Sequence, residues 1–200
     1  MPYVTPPLTL SVGGGPARNV PPAKPERSHP INPSPAFDVR LGVAPLGLVR
    51  ELNRRPLDPS MGLIIQGGGP SAFVGAFGGL DWFLWQSSAE PSRWRLKTFA
   101  SADYARGEQT DLTTFGASLG VGIEHAEFLG LTPIVSADDE SEESGSAIVG
   151  VAYGEWAIGF SLGMTYRTLP GQDLWMGYAA LTFRLPASAG IICCFRSGDD

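Results

Sequence analysis

The sequence predicts an all-β protein, an antiparallel up-and-down β-barrel of about eight strands that occupies residues 37–185. Two observations lead to this fold class. Several segments alternate large apolar residues with Gly, Ser, Thr or charged residues, and amphipathic aromatic residues stand at both ends of the best-patterned segments. A period of two indicates strands, because a helix repeats every 3.6 residues. The 26 glycines also suit a narrow barrel, in which small side chains leave room for larger ones.

Residues 1–36 are predicted to be a disordered Pro/Gly-rich arm. Ten of the 18 prolines precede Ala36, and proline fixes φ and lacks the amide donor that helices and sheets need. Residues 186–200 are predicted to be a C-terminal tail. This tail contains Cys193 and Cys194, which we interpret as incidental thiols because adjacent cysteines rarely close a comfortable disulfide.

The clearest predicted strand covers residues 93–104, RWRLKTFASADY. One face carries Trp94, Leu96, Thr98, Ala100, Ala102 and Tyr104, and the other carries Arg93, Arg95, Lys97, Phe99, Ser101 and Asp103. At about 3.3 Å per residue and a tilt near 40°, the distance from Trp94 to Tyr104 is roughly the 25 Å height of the apolar band of an outer-membrane barrel.

Two further segments repeat this alternation, WAIGFSLGMTYR at 156–167 and LWMGYAALTFRL at 174–185. The remaining strands are predicted less sharply at 37–48, 72–85, 110–123, 128–136 and 146–153. Residues 124–127 and 154–155 are predicted to be tight turns at one rim, and residues 138–146 a projecting acidic loop. Residues 49–60 are predicted to be a long loop, and the sequence leaves open whether MGLIIQ after it is a further strand.

The large apolar residues are predicted to face outwards, since Gly, Ser, Thr or charge on the opposite face is the inverse of a soluble barrel. The expected aromatic girdle consists of Trp94, Tyr104, Trp156, Tyr166, Trp175 and Phe183. The same parity predicts a charge network that plugs the interior, formed by Asp38, Arg40, Arg93, Arg95, Lys97, Asp103, Glu124 and Arg167. We expect Arg93, Arg95 and Lys97 to meet Asp38 and Asp103, because unpaired buried charge is costly.

On these three alternating segments the chain resembles the small, eight-stranded β-barrels of bacterial outer membranes, such as the membrane domain of outer membrane protein A. The resemblance implies a monomer in the lipid bilayer of the outer membrane, without enzymatic activity. It would serve as a structural, adhesive or envelope-interaction module, with an extracellular or envelope protein as partner. The N-terminus MPYVTPPLTLSVGGGPARN lacks the basic start and unbroken apolar run of a signal peptide. A signal upstream, a removed signal and a barrel that is not exported all stay open.

Two alternatives stay open as well. The first is a soluble lipocalin-like barrel or sandwich that binds an apolar ligand. The second is a helical membrane protein, because residues 147–166 are long enough to cross a bilayer as a helix and contain a single charged residue, Glu155. The position of Glu155 within that segment counts against a helix in lipid.

The sequence predicts no catalytic, cofactor or metal site. His125 between Glu124 and Glu127 lacks further patterned ligands, the acidic run at 138–143 lacks the spacing of a calcium loop, and no Gly-x-Ser-x-Gly motif is present. Nucleic acid is not expected as a partner. The net charge is −6, and the 14 basic residues form no basic stripe.

Overall fold

The computed structural model describes residues 3–5, 7–20, 34–52, 54–68, 71–88, 92–107, 113–137, 147–169 and 172–190. These residues form ten strands and two short 3-10 helices. The strands are β1 (Tyr3–Thr5), β2 (Leu8–Val20), β3 (Ser34–Val43), β4 (Leu57–Gly68), β5 (Ser71–Gln86), β6 (Ser92–Gly107), β7 (Thr113–Ala137), β8 (Ala147–Leu169), β9 (Gln172–Leu185) and β10 (Ala187–Gly190). The 3-10 helices are Pro45–Leu48 and Arg50–Leu52.

Strands β2 to β9 close into a ring, which confirms the prediction of an antiparallel β-barrel of about eight strands. Each strand pairs antiparallel with the next along the chain from β2 to β9, and β9 pairs back onto β2, from Leu8 opposite Leu185 to Val20 opposite Asp173. All-next-neighbour pairing is the up-and-down topology. Closure satisfies the edges that an open sheet would leave unpaired.

The structure differs from the predicted disordered arm over residues 1–36. Residues 8–20 form β2, which pairs on one side with β3 and on the other with β9, so this segment completes the ring. The prediction is wrong there because it gave too much weight to proline density. Pro16 lies in β2 and Pro35 in β3, opposite each other, and the segment LTLSVG that precedes Pro16 alternates apolar and small or polar residues as a strand does. Residues 21–33 lie outside the described residues.

The predicted turns at 124–127 and 154–155 lie inside strands. Residues 113–137 form the single strand β7 and residues 147–169 the single strand β8, where the sequence predicted two strands each. The polar residues were interpreted as turn signals because Glu124 and Glu155 interrupt apolar runs. Both glutamates are instead buried in the barrel interior. The helical alternative for residues 147–166 is wrong, because these residues lie in strand β8. No described helix is long and apolar enough to cross a membrane.

The two ends of the barrel differ. The upper rim, as we name it, carries residues 44–56 with both 3-10 helices, and β4 begins at Leu57, inside the predicted loop 49–60. The lower rim is the opposite end, where β4 meets β5, β6 meets β7 and β8 meets β9. At the upper rim Gly154 has a φ of 101°, a backbone conformation that favours glycine. A side chain there would also lie 3.1 Å from the carbonyl oxygen of Gly47, so Gly154 lets the first 3-10 helix approach the wall.

Above the upper rim, β7 and β8 continue as a hairpin that two short strands extend. Strand β10 pairs with the first part of β8, from Ala187 opposite Tyr153 to Ala189 opposite Val151, and β1 pairs with β10. The segment 186–200, predicted to be a tail, therefore contributes a strand. Cys193 and Cys194 lie outside the described residues, as does the acidic loop at 138–146.

Candidate functional site: the barrel wall and its interior

The outer face of the barrel is an uninterrupted apolar band. Large side chains point outwards from every strand of the ring, with Leu119 at 66% and Phe115 at 65% exposure. Between the aromatic rows described next, the outward positions of β2 to β9 that the structure describes hold no Asp, Glu, Lys or Arg. Monomeric soluble proteins rarely expose contiguous apolar patches beyond a few hundred Å². Larger exposed apolar surfaces are typical of faces that contact a membrane or another protein.

Aromatic residues form a row on the outer wall near each end of the band. At the upper end, the ring of His125 lies between Trp94, 4.9 Å away, and Trp156, 5.8 Å away. A β-bulge between Phe83 and Trp85 leaves both Leu84 and Trp85 exposed close to this row.

At the lower end Tyr104 packs against Phe115 with ring centres 5.1 Å apart, and Tyr166 packs against Trp175 at 4.9 Å. Five of the six predicted girdle residues lie in these two rows. Phe183 points outwards as well, but it pairs with Ile158, two residues inside the upper row. His125 and Phe115 also belong to the rows and were not predicted as members of the girdle.

The interior is lined by polar and charged side chains. All eight predicted interior residues are less than one-tenth exposed, namely Asp38, Arg40, Arg93, Arg95, Lys97, Asp103, Glu124 and Arg167. Seven of them, all except Arg93, belong to two clusters at different heights. The remaining members of both clusters were not singled out from the sequence.

The upper ion cluster lies beneath the upper rim and contains equal numbers of positive and negative groups. Its members are Arg55, Asp58, Asp81, Arg95, Lys97, Glu124, Glu155 and Arg184. Glu155 is its centre: Arg95 donates to both carboxylate oxygens at 2.9 and 2.8 Å, Arg184 donates at 2.5 Å, and Arg55 lies 3.5 Å away.

The rest of the upper cluster links the neighbouring strands β5, β6 and β7. Lys97 lies 2.5 Å from Asp81 and 2.8 Å from Glu124, and Arg95 lies 2.6 Å from Glu124. The guanidinium of Arg95 also sits over the ring of Phe83, 4.5 Å from its centre. Each buried charge therefore has a partner of opposite sign, which such burial requires.

The lower polar cluster joins four strands through Asp38, Arg40, Gln66, Asp103 and Arg167. Arg40 donates to Asp38 at 2.8 Å, Gln66 donates to the same carboxylate at 3.2 Å, and Arg167 donates to Gln66 at 2.9 Å. Arg167 also pairs with Asp103. Two arginines and two aspartates leave this cluster without net charge.

The predicted partners of Arg95 and Lys97 were wrong. Arg95 and Lys97 meet Glu124, Glu155 and Asp81, whereas Asp38 and Asp103 bind Arg40 and Arg167. Parity fixes which face a residue occupies, but height in the barrel depends on strand register. Asp103 lies near the lower end of β6, whereas Arg95 and Lys97 lie near its upper end.

Two glycines of the wall make room for the charged clusters, in agreement with the expectation that glycine leaves space in a narrow barrel. A Cβ on Gly159 would lie 2.9 Å from the Cβ of Glu124, and one on Gly116 would lie 2.4 Å from a carboxylate oxygen of Asp103. Gly120 and Gly163 instead make room for the ring of Phe99, at 2.6 and 2.9 Å.

Described residues occupy the interior near both of its ends. At the lower end an apolar cluster fills the barrel, built from Ala17, Phe73, Ala105, Leu174, Met176, Tyr178 and Ala180. At the upper end the first 3-10 helix lies next to the upper ion cluster, since a Cβ on Gly47 would lie 3.7 Å from Glu155 and 3.8 Å from Arg184. The amide of Ala44 donates to the carbonyl of Pro7 at 3.2 Å, and the side-chain amide of Gln86 donates to the carbonyl of Arg55 at 2.9 Å.

Between the two clusters lies a chamber of about 80 Å³. Charged groups of both clusters face it, together with hydroxyl side chains and the rings of Phe77, Phe99 and Tyr178. The rings of Phe99 and Tyr178 pack together with centres 6.3 Å apart.

The described residues contain no group of three or more His, Cys, Asp or Glu side chains placed to hold a metal ion. His125 points outwards, and its Nε2 lies 3.1 Å from the hydroxyl of Ser92. No protein-family model matches the chain, and no curated protein matches it.

Proposed function

We propose that this protein is a non-enzymatic β-barrel of a bacterial outer membrane, a structural, adhesive or envelope-interaction module whose interior is plugged. The observation that carries the proposal is the outer wall, which is apolar and free of charge between two rows of aromatic residues. Apolar bands flanked by Trp and Tyr are typical of membrane-spanning barrels. Such a barrel has the bilayer itself as its first partner.

The side chains in the interior support the proposal that the barrel is plugged. Two neutral clusters of paired side chains and an apolar cluster below them occupy the interior, and the first 3-10 helix lies next to the upper cluster. An eight-stranded barrel is just wide enough for side chains to fill. A carrier of apolar ligands, the soluble alternative, would need a cavity free of charge, and five charged side chains line this chamber.

We assign recognition of an extracellular or envelope protein to the part of β7 and β8 that projects beyond the apolar band. Strands β7 and β8 have 25 and 23 residues, whereas a membrane-spanning strand needs about 9–11. The excess forms the hairpin above the upper rim. Leu131 lies in this hairpin, away from the wall, and is 82% exposed.

The test is refolding of the full chain with and without an amphiphile. We expect folded monomers in detergent micelles and lipid vesicles, detected by heat-modifiable gel migration, and aggregation in plain buffer. Planar bilayers with the refolded protein should show no large, stable channels. A monodisperse folded protein in plain buffer would contradict the membrane proposal, and porin-like conductance would contradict the plug.

A further inference from the structure

The central chamber carries hydroxyl groups that lack a hydrogen-bond partner. Ser161 and Tyr178 are 5% and 7% exposed and line the chamber, as do Thr9, Ser60 and Thr182. None of these hydroxyls makes a side-chain hydrogen bond to any residue that the structure describes. Buried hydroxyls are normally paired with protein or with an enclosed molecule, so the chamber calls for an occupant that can both donate and accept hydrogen bonds.

The charges around the chamber are already neutralised. Lys97 faces it with Asp81 at 2.5 Å, and Arg184 faces it with Asp58 at 2.5 Å. Arg40 donates both to Asp38 and, at 2.5 Å, to the hydroxyl of Ser101. An ion would therefore enter without a free counter-charge, which favours a neutral occupant.

The size and the lining of the chamber limit which neutral molecule can occupy it. A volume of about 80 Å³ holds roughly five to eight water-sized groups, at about 10–15 Å³ for each. The rings of Phe77, Phe99 and Tyr178 give the chamber apolar surfaces between its hydroxyls. A short carbon chain with a hydroxyl on each carbon matches both surfaces, because its hydroxyls can bond the hydroxyls of the chamber while its carbons contact the aromatic rings.

We propose that the chamber is a binding site for a small neutral polyol of three or four carbons. Its hydroxyls replace the missing partners of Ser161, Tyr178 and Thr182, and its carbons contact the aromatic rings. This site goes beyond the proposed function, because it depends on the interior and not on the lipid-facing wall.

The test uses erythritol as the probe and the full chain refolded in detergent micelles in its presence. Thermal unfolding is followed against erythritol concentration for the wild type and for Ser161→Leu, which fills the chamber. Exclusion of a polyol from the protein surface raises the Tm of both proteins alike. Site binding adds a saturable increment to the wild type, and we expect Ser161→Leu to lose it.

Two further protein variants and one charged analogue of erythritol complete the test. Thr98→Leu, which adds similar bulk to the outer wall, should keep the increment. The double variant Ser161→Ala with Thr182→Val removes hydroxyls without adding bulk, and should lose most of the increment even if Ser161→Leu does not fold. Sodium erythronate should give no increment. Parallel Tm curves for the wild type and the double variant, or a larger saturable effect of erythronate, would overturn the proposal.

Discussion

The same eight strands have opposite chemistry on their two faces. In β7 the outward positions hold Leu119, Val121 and Ile123, and the alternate inward positions hold Ser118, Gly120 and Gly122. A soluble barrel would place the large apolar residues inside, where packing them stabilises the fold. Here the interior is held by paired charges, by hydrogen bonds and, near its lower end, by an apolar cluster. The difference means that equivalent substitutions on the two faces should have different consequences.

The largest effect is expected in the interior from Glu155→Ala. This change removes the carboxylate that binds Arg95 and Arg184 and lies 3.5 Å from Arg55, leaving buried guanidinium groups short of a partner. Loss of one side of a buried pair costs about 3–5 kcal/mol. The measurement is the free energy of unfolding by urea in lipid vesicles.

Glu127→Ala is the matched control for Glu155→Ala. Glu127 is half-buried on the outer wall and makes no ion pair with the described part of the chain, so its loss should change stability by less than about 0.5 kcal/mol. Equal effects of the two variants would mean that the ion cluster does not hold the interior together.

The next effect is expected on the outer face from Leu162→Arg. Leu162 is 51% exposed and lies midway between Trp156 and Tyr166 of β8. An arginine at the bilayer midplane of a barrel costs about 2–4 kcal/mol. Leu131→Arg is the control, because Leu131 is more exposed but lies in the hairpin beyond the band. If both variants were equally stable in vesicles, the apolar band would not face lipid.

A smaller difference is expected between two glycines. An added Cβ at Gly159 would crowd the side chain of Glu124 and lie 3.0 Å from the carbonyl oxygen of Ile123, whereas one at Gly177 would meet no atom within 4 Å. Gly159→Ala should therefore destabilise the barrel by about 1–3 kcal/mol. Gly177→Ala should change stability by about 0.5 kcal/mol or less. Urea unfolding of both variants measures the contrast, and the reverse order would contradict the assignment of faces.

The sequence was sufficient for the fold class and for the face that each residue occupies, because both follow from a period of two. Arg95 and Trp94 illustrate this, since neighbours in the chain point to opposite sides. The sequence was insufficient for the height of each charged residue in the barrel and for its ion-pair partners, because both depend on strand register. Glu155 and Asp58 were missed because an inward charge within a strand has the same local appearance as a polar turn. Arg184 could have been found by continuing the parity of 174–185.

The predicted disordered arm at residues 1–36 illustrates a second limit of prediction from the sequence. Proline removes an amide donor, but Pro16 and Pro35 lie opposite each other in neighbouring strands of the ring. Whether a proline is tolerated in a strand depends on which pairs are hydrogen-bonded, and this cannot be read from composition. The long-range pairing of β2 with β9 also left no local signal in the sequence.

The most direct test of the membrane-spanning barrel is a nitroxide scan of residues 117–123 in β7, one label at a time, in lipid vesicles. Cys193 and Cys194 are first replaced by serine, so that each label has a single attachment site. The account predicts that collisions with dissolved oxygen, which concentrates in lipid, are high at Ala117, Leu119, Val121 and Ile123 and low at the three positions between them. High accessibility to a water-soluble reagent at the outward positions, or an oxygen pattern of opposite phase, would contradict it.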